Sequence, residues 1–380
     1  MHERIPRAYD DLGSEMRPGR VTVIHGPRQA GKTQMVEHFL AGVSWRTLRA
    51  VGDDIFVRNL LAGQNRSEIL SWAEGYEAIF IDEAQRIPDV GWALKILIDA
   101  RPDLRIIATG SSSFQLSGVL GEPLTGRQTP LILNTVSVRE LSAVMNEFEL
   151  RAVLDNMLTY GMYPEVRMAD SSLQQREIAR ELAASYLLKD VLQLERIKSA
   201  KALTDLLVLL ALQVGSLVSV NELAQQVGLD AKTVSRYLDL LEKAFVVLNL
   251  RGFSRNLRSE VTRNGKWYFY DVGIRNALLN NFNLPNSRGD IGAIWENFLV
   301  VERMKALNYA SAPAALRFWR TWERQEIDLI EDRDGVLHTF EFKWNPRSRA
   351  KLPSIFLDTY PGASFEVITP ENFMAFVQGP

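Results

Sequence analysis

The sequence predicts an α/β protein whose N-terminal domain is built on a parallel β-sheet. Three mainly apolar runs have the composition of strands that are buried in a parallel sheet covered by helices, and the second of them is continuously apolar. They lie at residues 21–24, 78–81 and 104–108. The first run leads through a short loop into the helix-like residues 34–40, and the third leads through hydroxyl residues into the helix-like residues 114–120.

Composition bounds the class of protein. With 380 residues, 46% of them hydrophobic and 24% charged, the chain is long enough for two to four domains that each bury a core. No apolar stretch approaches the roughly 18 residues of a membrane span, and residues 1–7 lack the apolar segment of a secretion signal. We therefore expect a cytoplasmic protein with no membrane partner. The absence of cysteine excludes disulfides and thiolate metal sites, and a net charge of -2 confines any basic face to a local patch.

A phosphate-binding loop follows the first apolar run. Residues 26–33 have the sequence GPRQAGKT, which fits the pattern G-x-x-x-x-G-K-T between a strand and a helix. The glycines let backbone N–H groups and a helix N-terminus point at phosphates, the lysine reaches the outer phosphates and the threonine coordinates Mg²⁺. The expected nucleotide-binding residues are Gly26, Pro27, Arg28, Gln29, Ala30, Gly31, Lys32 and Thr33.

Two acids end the second apolar run, at the sheet edge where ligands of parallel sheets bind. A nucleotide site needs carboxylates for Mg²⁺ and for the attacking water. We expect Asp82 to hold the Mg²⁺ shell and Glu83 to orient and deprotonate the water.

Hydroxyl residues follow the third run at the same edge. Thr109 or Ser111 is expected to sense the γ-phosphate. For Ser112 and Ser113, a polar loop that caps the next helix explains the sequence nearly as well.

These motifs together resemble a known family. The segments GPRQAGKT, IDEAQRIP at residues 81–88, ATGSSS at residues 108–113 and LTGR at residues 124–127 are similar to those of bacterial and archaeal AAA-type ATPases that carry a C-terminal domain of unknown function. The segment GMYPEV at residues 161–166 resembles the family's GGxPEV signature, with Met162 in place of the second glycine. The resemblance spans almost the whole chain and implies ATP and Mg²⁺ as cofactors.

The resemblance also implies an assembly. Ring ATPases are expected to be hexamers, and an arginine at the position of Arg127, before the strand at residues 130–133, projects into the neighbouring subunit's nucleotide. The alternative for Arg127 is a plain surface arginine. The resemblance further places Gln85 near the nucleotide without giving its role.

The middle of the chain is predicted to be helical. Apolar residues between residues 138 and 199 recur at spacings of three and four, which favours a small helical lid. Arg151, Arg167 and Arg180 are equal candidates for a contact with the γ-phosphate, and the sequence does not choose among them.

A winged helix is predicted after the lid. Ser219 and Asp230 are expected to cap two helices, Gly228 ends the first, and a hairpin with Asn264-Gly265 at its turn follows. Five basic residues are expected to decorate the wing: Arg251, Arg255, Arg258, Arg263 and Lys266. Contact with nucleic acid is one hypothesis for this face, and packing or protein docking is the other.

The C-terminal region carries a constellation of charged residues. Glu296 lies on a predicted helix, Asp328 on a predicted strand, and Glu341 and Lys343 two residues apart on the next strand, so that the last two share a face. This order resembles the restriction-endonuclease-like PD-(D/E)XK nucleases, although Ile327 stands where a proline often precedes the aspartate.

The resemblance implies a metal site in this region. The three carboxylates would hold Mg²⁺ and the lysine would polarise the attacking water. The alternative is a partly buried ion network in a fold that binds without cutting. Downstream, Arg347, Arg349 and Lys351 would either follow a phosphate backbone or keep the surface soluble.

The predicted organisation has four regions. They are an AAA-type phosphate-loop domain at residues 1–140, a helical lid at 141–200, a winged helix at 201–280 and a nuclease-like domain at 281–380. Two functions fit this order. One is an ATPase coupled to a nuclease-like domain that acts on nucleic acid, and the other is an ATP-gated oligomeric switch whose C-terminal domains only bind a partner.

Overall fold

The computed structural model of the chain describes residues 4–111, 123–194, 199–254 and 265–379, with the backbone alone at residues 185–194. The chain divides into two compact units. The first comprises Pro6–Asn134 and Lys243–Phe245, and the second comprises Thr135–Glu242, the chain from Val246 onward and the residues up to Ile5. Within the described ranges, no helix is both long enough and apolar enough to span a lipid bilayer.

The first unit is built on a parallel sheet. Its strands are β1 (Val21–His25), β2 (Thr47–Val51), β3 (Ala78–Asp82), β4 (Arg105–Gly110) and β5 (Gln128–Ile132). They are ordered β2-β3-β4-β1-β5, and every neighbouring pair is parallel. Because parallel strands end at the same edge, the residues that follow β1, β3 and β4 meet on adjacent strands.

Helices cover this sheet and supply its core. They are α1 (Lys32–Ala41), α2 (Ile55–Ala62), α3 (Arg66–Trp72) and α4 (Val90–Ala100). Ile79 and Ile81 of β3 are fully buried in one cluster with Leu61 of α2, Ile69 of α3 and Leu94 of α4. The mainly apolar composition of these strands is therefore explained by burial in the parallel sheet, as the sequence predicts.

The second unit begins with a series of helices. The helices after residue 135 are α5 (Val138–Leu141), α6 (Glu147–Ala152), α7 (Leu154–Tyr160), α8 (Pro164–Met168), α9 (Ser172–Leu194), α10 (Ala200–Leu212), α11 (Val220–Val227), α12 (Ala231–Lys243), α13 (Val272–Leu278), α14 (Ile291–Tyr309), α15 (Ser354–Thr359) and α16 (Phe373–Gln378). The side chain of Ser219 caps α11, Gly228 ends it with a φ of 68°, and the Asp230 carboxylate accepts from Thr233 N–H at 2.9 Å at the start of α12. These caps lie where the sequence places them.

A six-stranded mixed sheet forms the rest of this unit. Its strands are β6 (Val247–Gly252), β7 (Lys266–Phe269), β8 (Ala315–Arg320), β9 (Glu326–Arg333), β10 (Val336–Phe342) and β11 (Ser364–Ile368). The order is β11-β10-β9-β8-β6-β7. β6 pairs antiparallel with β7 and parallel with β8, through Arg251 opposite Arg317 and Gly252 opposite Phe318. The predicted wing hairpin and the C-terminal strands thus share one sheet, which crosses the expected boundary between residues 280 and 281.

A buried carboxylate ties the helical part of this unit together. Asp271 accepts from the N–H groups of Met162 at 2.6 Å, Gly273 at 2.9 Å and Ile274 at 3.2 Å. Gly161 has a φ of 87°, and a Cβ there would lie 2.0 Å from Asp271 Oδ1. Burial raises the pKa of Asp271, and the three N–H donors partly offset that effect. The first glycine of the GMYPEV segment is therefore required by close packing.

The α/β class and the parallel sheet are confirmed. Some sequence predictions fall on residues outside the described ranges. These are Ser112, Ser113, the helix at residues 114–120, the wing residues Arg255, Arg258 and Arg263, and Asn264 of the predicted turn.

Candidate functional site

The loop between β1 and α1 has the backbone conformation that its glycines permit. Gly26 has a φ of 150°, and a Cβ there would lie 2.0 Å from the carbonyl oxygen of Leu133. Gly31 has a φ of 88° and precedes the first residue of α1. Both positions exclude larger residues, because one lacks space and both require a conformation that side chains disfavour. The loop therefore wraps tightly around the N-terminus of α1.

Lys32 lies inside this loop. Its ammonium donates to the carbonyl oxygens of Gly26 at 3.0 Å and Pro27 at 2.7 Å, and the residue is 7% exposed. Arg28 and Gln29 are exposed at the tip of the loop, whereas Ala30 is fully buried. Backbone N–H groups at a helix N-terminus, with a lysine beside them, are an arrangement that binds phosphate groups.

Three predicted residues converge at the ends of β3 and β4. The hydroxyl of Thr33 donates to Asp82 Oδ2 at 3.0 Å, and the hydroxyl of Thr109 donates to Asp82 Oδ1. The N–H of Glu83 donates to Thr109 Oγ at 3.3 Å. Hydroxyl and carboxylate oxygens are ligands that Mg²⁺ prefers, so Thr33 and Asp82 fit the ion that the sequence predicts.

Glu83 occupies a strained position next to this group. Its φ is 52°, in the left-handed region that residues with side chains seldom adopt. The side-chain amide of Gln85 donates to the Glu83 carboxylate and, at 3.2 Å, to Ser111 Oγ. Gln85 Oε1 is buried with no hydrogen-bond partner among the described residues. Gln85 thus holds the Glu83 carboxylate at the sheet edge. The sequence left the role of Gln85 open, and this contact places its side chain beside Glu83.

Arg127 forms an ion pair within its own unit. Its guanidinium contacts the carboxylate of Asp99 at the end of α4, and both side chains are about half-exposed. An exposed pair of this kind contributes only about 0–1 kcal/mol and releases its arginine easily. The pair fits a surface arginine, and it leaves the role of Arg127 in nucleotide binding a prediction.

Arg7 supports the loop and is missed by the sequence analysis. Its side chain is buried and donates to the carbonyl oxygens of Ala30 and, at 2.6 Å, Asn134. The first oxygen belongs to the phosphate-binding loop, and the second follows β5. No local motif marks Arg7, since its partners lie far along the chain.

His25 ends β1 directly before the loop. Burial lowers its pKa to about 4, and the nearby charge of Lys32 acts in the same direction. The imidazole is therefore neutral at physiological pH and adds no positive charge beside Lys32.

The predicted nuclease-like residues lie close together in the second unit. Glu296 is on α14, Asp328 on β9 and Glu341 on β10, with Lys343 directly after that strand. Lys343 donates to Glu341 at 2.7 Å, and the N–H of Phe342 donates to Asp328 Oδ2 at 2.8 Å. Burial, followed by the negative charge of Glu296, raises the pKa of Asp328 well above its usual value.

A second lysine occupies this cluster, and here the sequence interpretation is wrong. Lys266 was expected on a solvent-facing basic wing, but it is 1% exposed. Its ammonium donates to Glu296 at 2.9 Å, contacts Glu326 and lies 3.8 Å from Asp328. The prediction failed because Lys266 lies beside a basic segment in sequence, while its burial depends on α14 and β9, which come later in the chain.

The carboxylates do not form a metal cage. Across the residues that the structure describes, no group of three or more His, Asp or Glu side chains is arranged to hold a metal ion. The donor set of Glu296, Asp328 and Glu341 therefore does not fit the Mg²⁺ that the nuclease resemblance implies.

The three lid arginines have partners within the second unit. Arg151 donates to the carbonyl oxygens of Pro370 and Glu371, each at 2.6 Å. The Arg167 guanidinium donates to the side chain of Asn156, and burial lowers its pKa to about 10. Arg180 donates to Asn280 and lies over the ring of Phe282. None of these contacts selects one arginine as a nucleotide sensor.

Comparison with known protein families matches three parts of the chain. An AAA domain matches residues 18–142, a domain of unknown function (DUF8612) matches residues 151–284, and another (DUF4143) matches residues 291–373. The AAA-type domain and the C-terminal domain of unknown function that the motifs implied are thereby confirmed.

Relatives occur in bacteria and archaea. An uncharacterized protein of Mycobacterium tuberculosis, like its counterpart in Mycobacterium bovis, is 32% identical over 339 residues, which are 88% of this chain and 71% of the relative. An uncharacterized protein of Methanocaldococcus jannaschii is 24% identical over 77% of this chain and 68% of its own length. Among solved structures, a Walker-type ATPase of Pyrococcus abyssi aligns with 72% of this chain and 94% of its own, with a TM-score of 0.49 and 16% identity.

Proposed function

The chain belongs to the protein family of its uncharacterized mycobacterial relatives, and on this premise we propose that its AAA domain binds ATP with Mg²⁺ and hydrolyses it. The observation that carries the proposal is the convergence of Lys32, Thr33 and Asp82. A lysine at a helix N-terminus and a hydroxyl 3.0 Å from a carboxylate lie on adjacent elements of one sheet edge. This combination serves phosphate transfer, in which positioning and charge stabilisation supply most of the catalysis.

Each residue has a distinct role in the proposal. The loop N–H groups and Lys32 bind the phosphates, and Thr33 with Asp82 would hold Mg²⁺, which neutralises charge on the phosphate oxygens when bound. Glu83 accepts the proton of the attacking water, and Gln85 fixes the orientation of its carboxylate. Thr109 donates to Asp82 and keeps that carboxylate turned toward Thr33.

Two variants test this assignment. Lys32→Ala should lose nucleotide binding, because the loop then lacks its cation. Glu83→Gln should bind ATP normally but turn it over at least about 10²-fold more slowly, since the amide cannot accept the proton. Retained turnover in Glu83→Gln would refute the base assignment, and unchanged ATP affinity in Lys32→Ala would refute the site itself.

We further propose a homo-oligomer, with a hexameric ring as the expected form. In this arrangement Arg127 leaves Asp99 and reaches the nucleotide of the neighbouring subunit. The exposure of both side chains supports this, since the ion pair is weak and faces solvent. Sedimentation of the full chain with and without ATP distinguishes a ring from a monomer.

For the second unit we propose partner binding without cleavage. The absence of a metal-holding group of acids within the described ranges supports this choice over a metal-dependent nuclease. Nucleic acid is the first partner to test, through the exposed residues Lys232, Ser235 and Arg236 on α12. Hydrolysis in the first unit would then gate an oligomeric switch.

Cleavage assays separate the two hypotheses. The full chain is incubated with single- and double-stranded DNA and RNA in Mg²⁺ or Mn²⁺. We expect intact substrates. Cleavage that is lost in both Glu341→Ala and Lys343→Ala would establish the nuclease hypothesis instead.

A further inference from the structure

Lys266 is enclosed by carboxylates that come from two other elements of the second unit. Its ammonium lies 2.9 Å from Glu296 on α14 and 3.8 Å from Asp328 on β9, and it contacts Glu326, also on β9. The ring of Phe318 closes another side, with its centroid 5.7 Å from the nitrogen. Lys266 is 1% exposed, so among the described residues these groups take the place of water around its charge.

The surroundings keep Lys266 charged. Burial alone lowers the pKa of a lysine, but the negative charges of Glu296, Asp328 and Glu326 outweigh burial and leave its pKa above the ordinary value. The hydroxyl of Tyr268 donates to Glu296 Oε1 at 2.6 Å, the same oxygen that accepts from Lys266. The Lys266 ammonium is thus held by a carboxylate whose own orientation is fixed by the Tyr268 hydroxyl.

The backbone fixes the lysine from both sides. Lys266 pairs with Leu250 of β6 and forms a bridge with Leu217. With neighbours on both edges, the residue cannot turn its side chain away without breaking strand pairing. The position of the ammonium is therefore built into the fold.

This position coincides with the carboxylates that a metal would need. Mg²⁺ requires oxygen ligands at about 2.0–2.1 Å in near-octahedral geometry, and it releases its water reluctantly. Glu296 and Asp328 are two of the three carboxylates in the predicted metal site, and both face an ammonium instead. A divalent cation placed between them would meet a fixed positive charge a few ångströms away.

Further cations neutralise the outer carboxylates. Lys343 donates to Glu341 at 2.7 Å, and Arg320 lies 3.2 Å from Glu326. Four carboxylates therefore share three cationic side chains within one cluster, and little negative potential is left to attract a metal ion.

We propose that Lys266 is a built-in counter-ion that replaces the divalent cation of a nuclease-like centre. The cluster is then a metal-independent ion network that fastens β7 to α14 and β9. This inference rests on the non-cleaving role proposed for the second unit and supplies its physical cause. It predicts that the chain gains a metal site when the ammonium is removed, because Glu296 and Asp328 then lose the cation that lies between them.

The test measures Mn²⁺ binding to the full chain without nucleotide. All proteins carry Asp82→Asn, so that the first unit contributes no carboxylate beside Thr33. Free Mn²⁺ is followed by electron paramagnetic resonance. With Lys266 in place we expect no saturable binding. Lys266→Met should instead bind one Mn²⁺ saturably, at a free Mn²⁺ concentration at least about tenfold below the highest one tested, and should lose this site on addition of Glu296→Gln.

Lys343→Met is the matched control. It removes one positive charge from the same cluster but leaves the ammonium of Lys266 between Glu296 and Asp328, so it should gain no comparable site. Equal Mn²⁺ binding by Lys343→Met and Lys266→Met would overturn the proposal, because general charge and not position would then be responsible.

The remaining outcomes are also decisive. If Lys266→Met folds and gains no Mn²⁺ site, the counter-ion proposal fails, while a lack of cleavage by the native chain still upholds the non-cleaving role. If neither Lys266→Met nor Lys266→Gln folds, Mn²⁺ binding by the chain that retains Lys266 tests the proposal. A saturable Mn²⁺ site that Asp328→Asn abolishes overturns the proposal, and its absence supports it. Metal-dependent cleavage by the native chain overturns both.

Discussion

The hydroxyl of Thr33 donates to the carboxylate of Asp82 at 3.0 Å and joins the first turn of α1 to the end of β3. The two residues belong to separate motifs of the sequence, a glycine-rich loop and an acid-ended strand. Their contact brings a phosphate-binding loop and a carboxylate to one point of the sheet edge. Experiments on this contact therefore test the proposed ATP site most directly.

Thr33→Val removes the hydroxyl with almost no change in shape. If Thr33 holds Mg²⁺, this variant should need at least about tenfold more Mg²⁺ for half-maximal turnover. Thr33→Ser keeps the hydroxyl and is expected to stay near the native value. Steady-state ATPase rates across a Mg²⁺ titration measure the effect, and identical curves for the two variants would contradict a role in binding the ion.

Arg127 gives a prediction about assembly. If it acts on the neighbouring subunit's nucleotide, Arg127→Ala should lower turnover by about 10³-fold, and mixing it with the inactive Glu83→Gln should restore part of the activity. Restoration is expected because a mixed interface can pair an intact Arg127 with an intact Glu83.

Asp99→Ala is the control for the ion pair. It frees Arg127 without removing it, so turnover should be retained. A surface role for Arg127 would instead make Arg127→Ala and Asp99→Ala behave alike, with turnover close to native in both.

Arg7 is expected to position the loop and not to touch nucleotide. Arg7→Met leaves the buried carbonyl oxygens of Ala30 and Asn134 without this donor, which should lower the free energy of unfolding of the first unit by about 1–3 kcal/mol and weaken ATP binding. Arg17→Met, at an exposed arginine, should change stability by no more than about 0.5 kcal/mol. Urea unfolding and nucleotide titration measure both. A native ATP affinity in a folded Arg7→Met would contradict the positioning role.

Local patterns predict the elements well and long-range polar contacts poorly. The bounds of α12 match the sequence prediction from Ala231 to Lys243, because Asp230 and the apolar spacing both act within a few residues. Lys266 and Arg7 are different. Their burial depends on partners distant in sequence, so no window of neighbouring residues distinguishes them from surface cations.

His25 makes the stability of the first unit depend on pH. Its pKa is about 4 in the folded chain against 6.5 in the unfolded one, so the unfolded state binds more protons between these values. Stability should be complete above pH 6.5 and should fall by about 3 kcal/mol as the pH drops through this window to 4. His25→Asn should flatten that dependence. His38→Asn, at an exposed histidine, should leave it unchanged, and a His25→Asn profile equal to the native one would refute the assignment.

Gly161 is expected to be far more sensitive to substitution than Gly228 in the same unit. Gly161→Ala would place a Cβ 2.0 Å from Asp271 Oδ1 and 2.8 Å from the nitrogen of Gly273, at a φ of 87°. Gly228 has a similar φ of 68°, but a Cβ added there would meet no atom within 4 Å.

The cost of placing alanine at a positive φ is about 1 kcal/mol, and displacement of the buried Asp271 adds the loss of its three N–H donors. Gly161→Ala should therefore lower the free energy of unfolding by about 3 kcal/mol or more, and Gly228→Ala by about 1 kcal/mol. Urea denaturation followed by circular dichroism compares them. Equal losses would mean that backbone conformation, and not the approach to Asp271, explains why glycine stands at position 161.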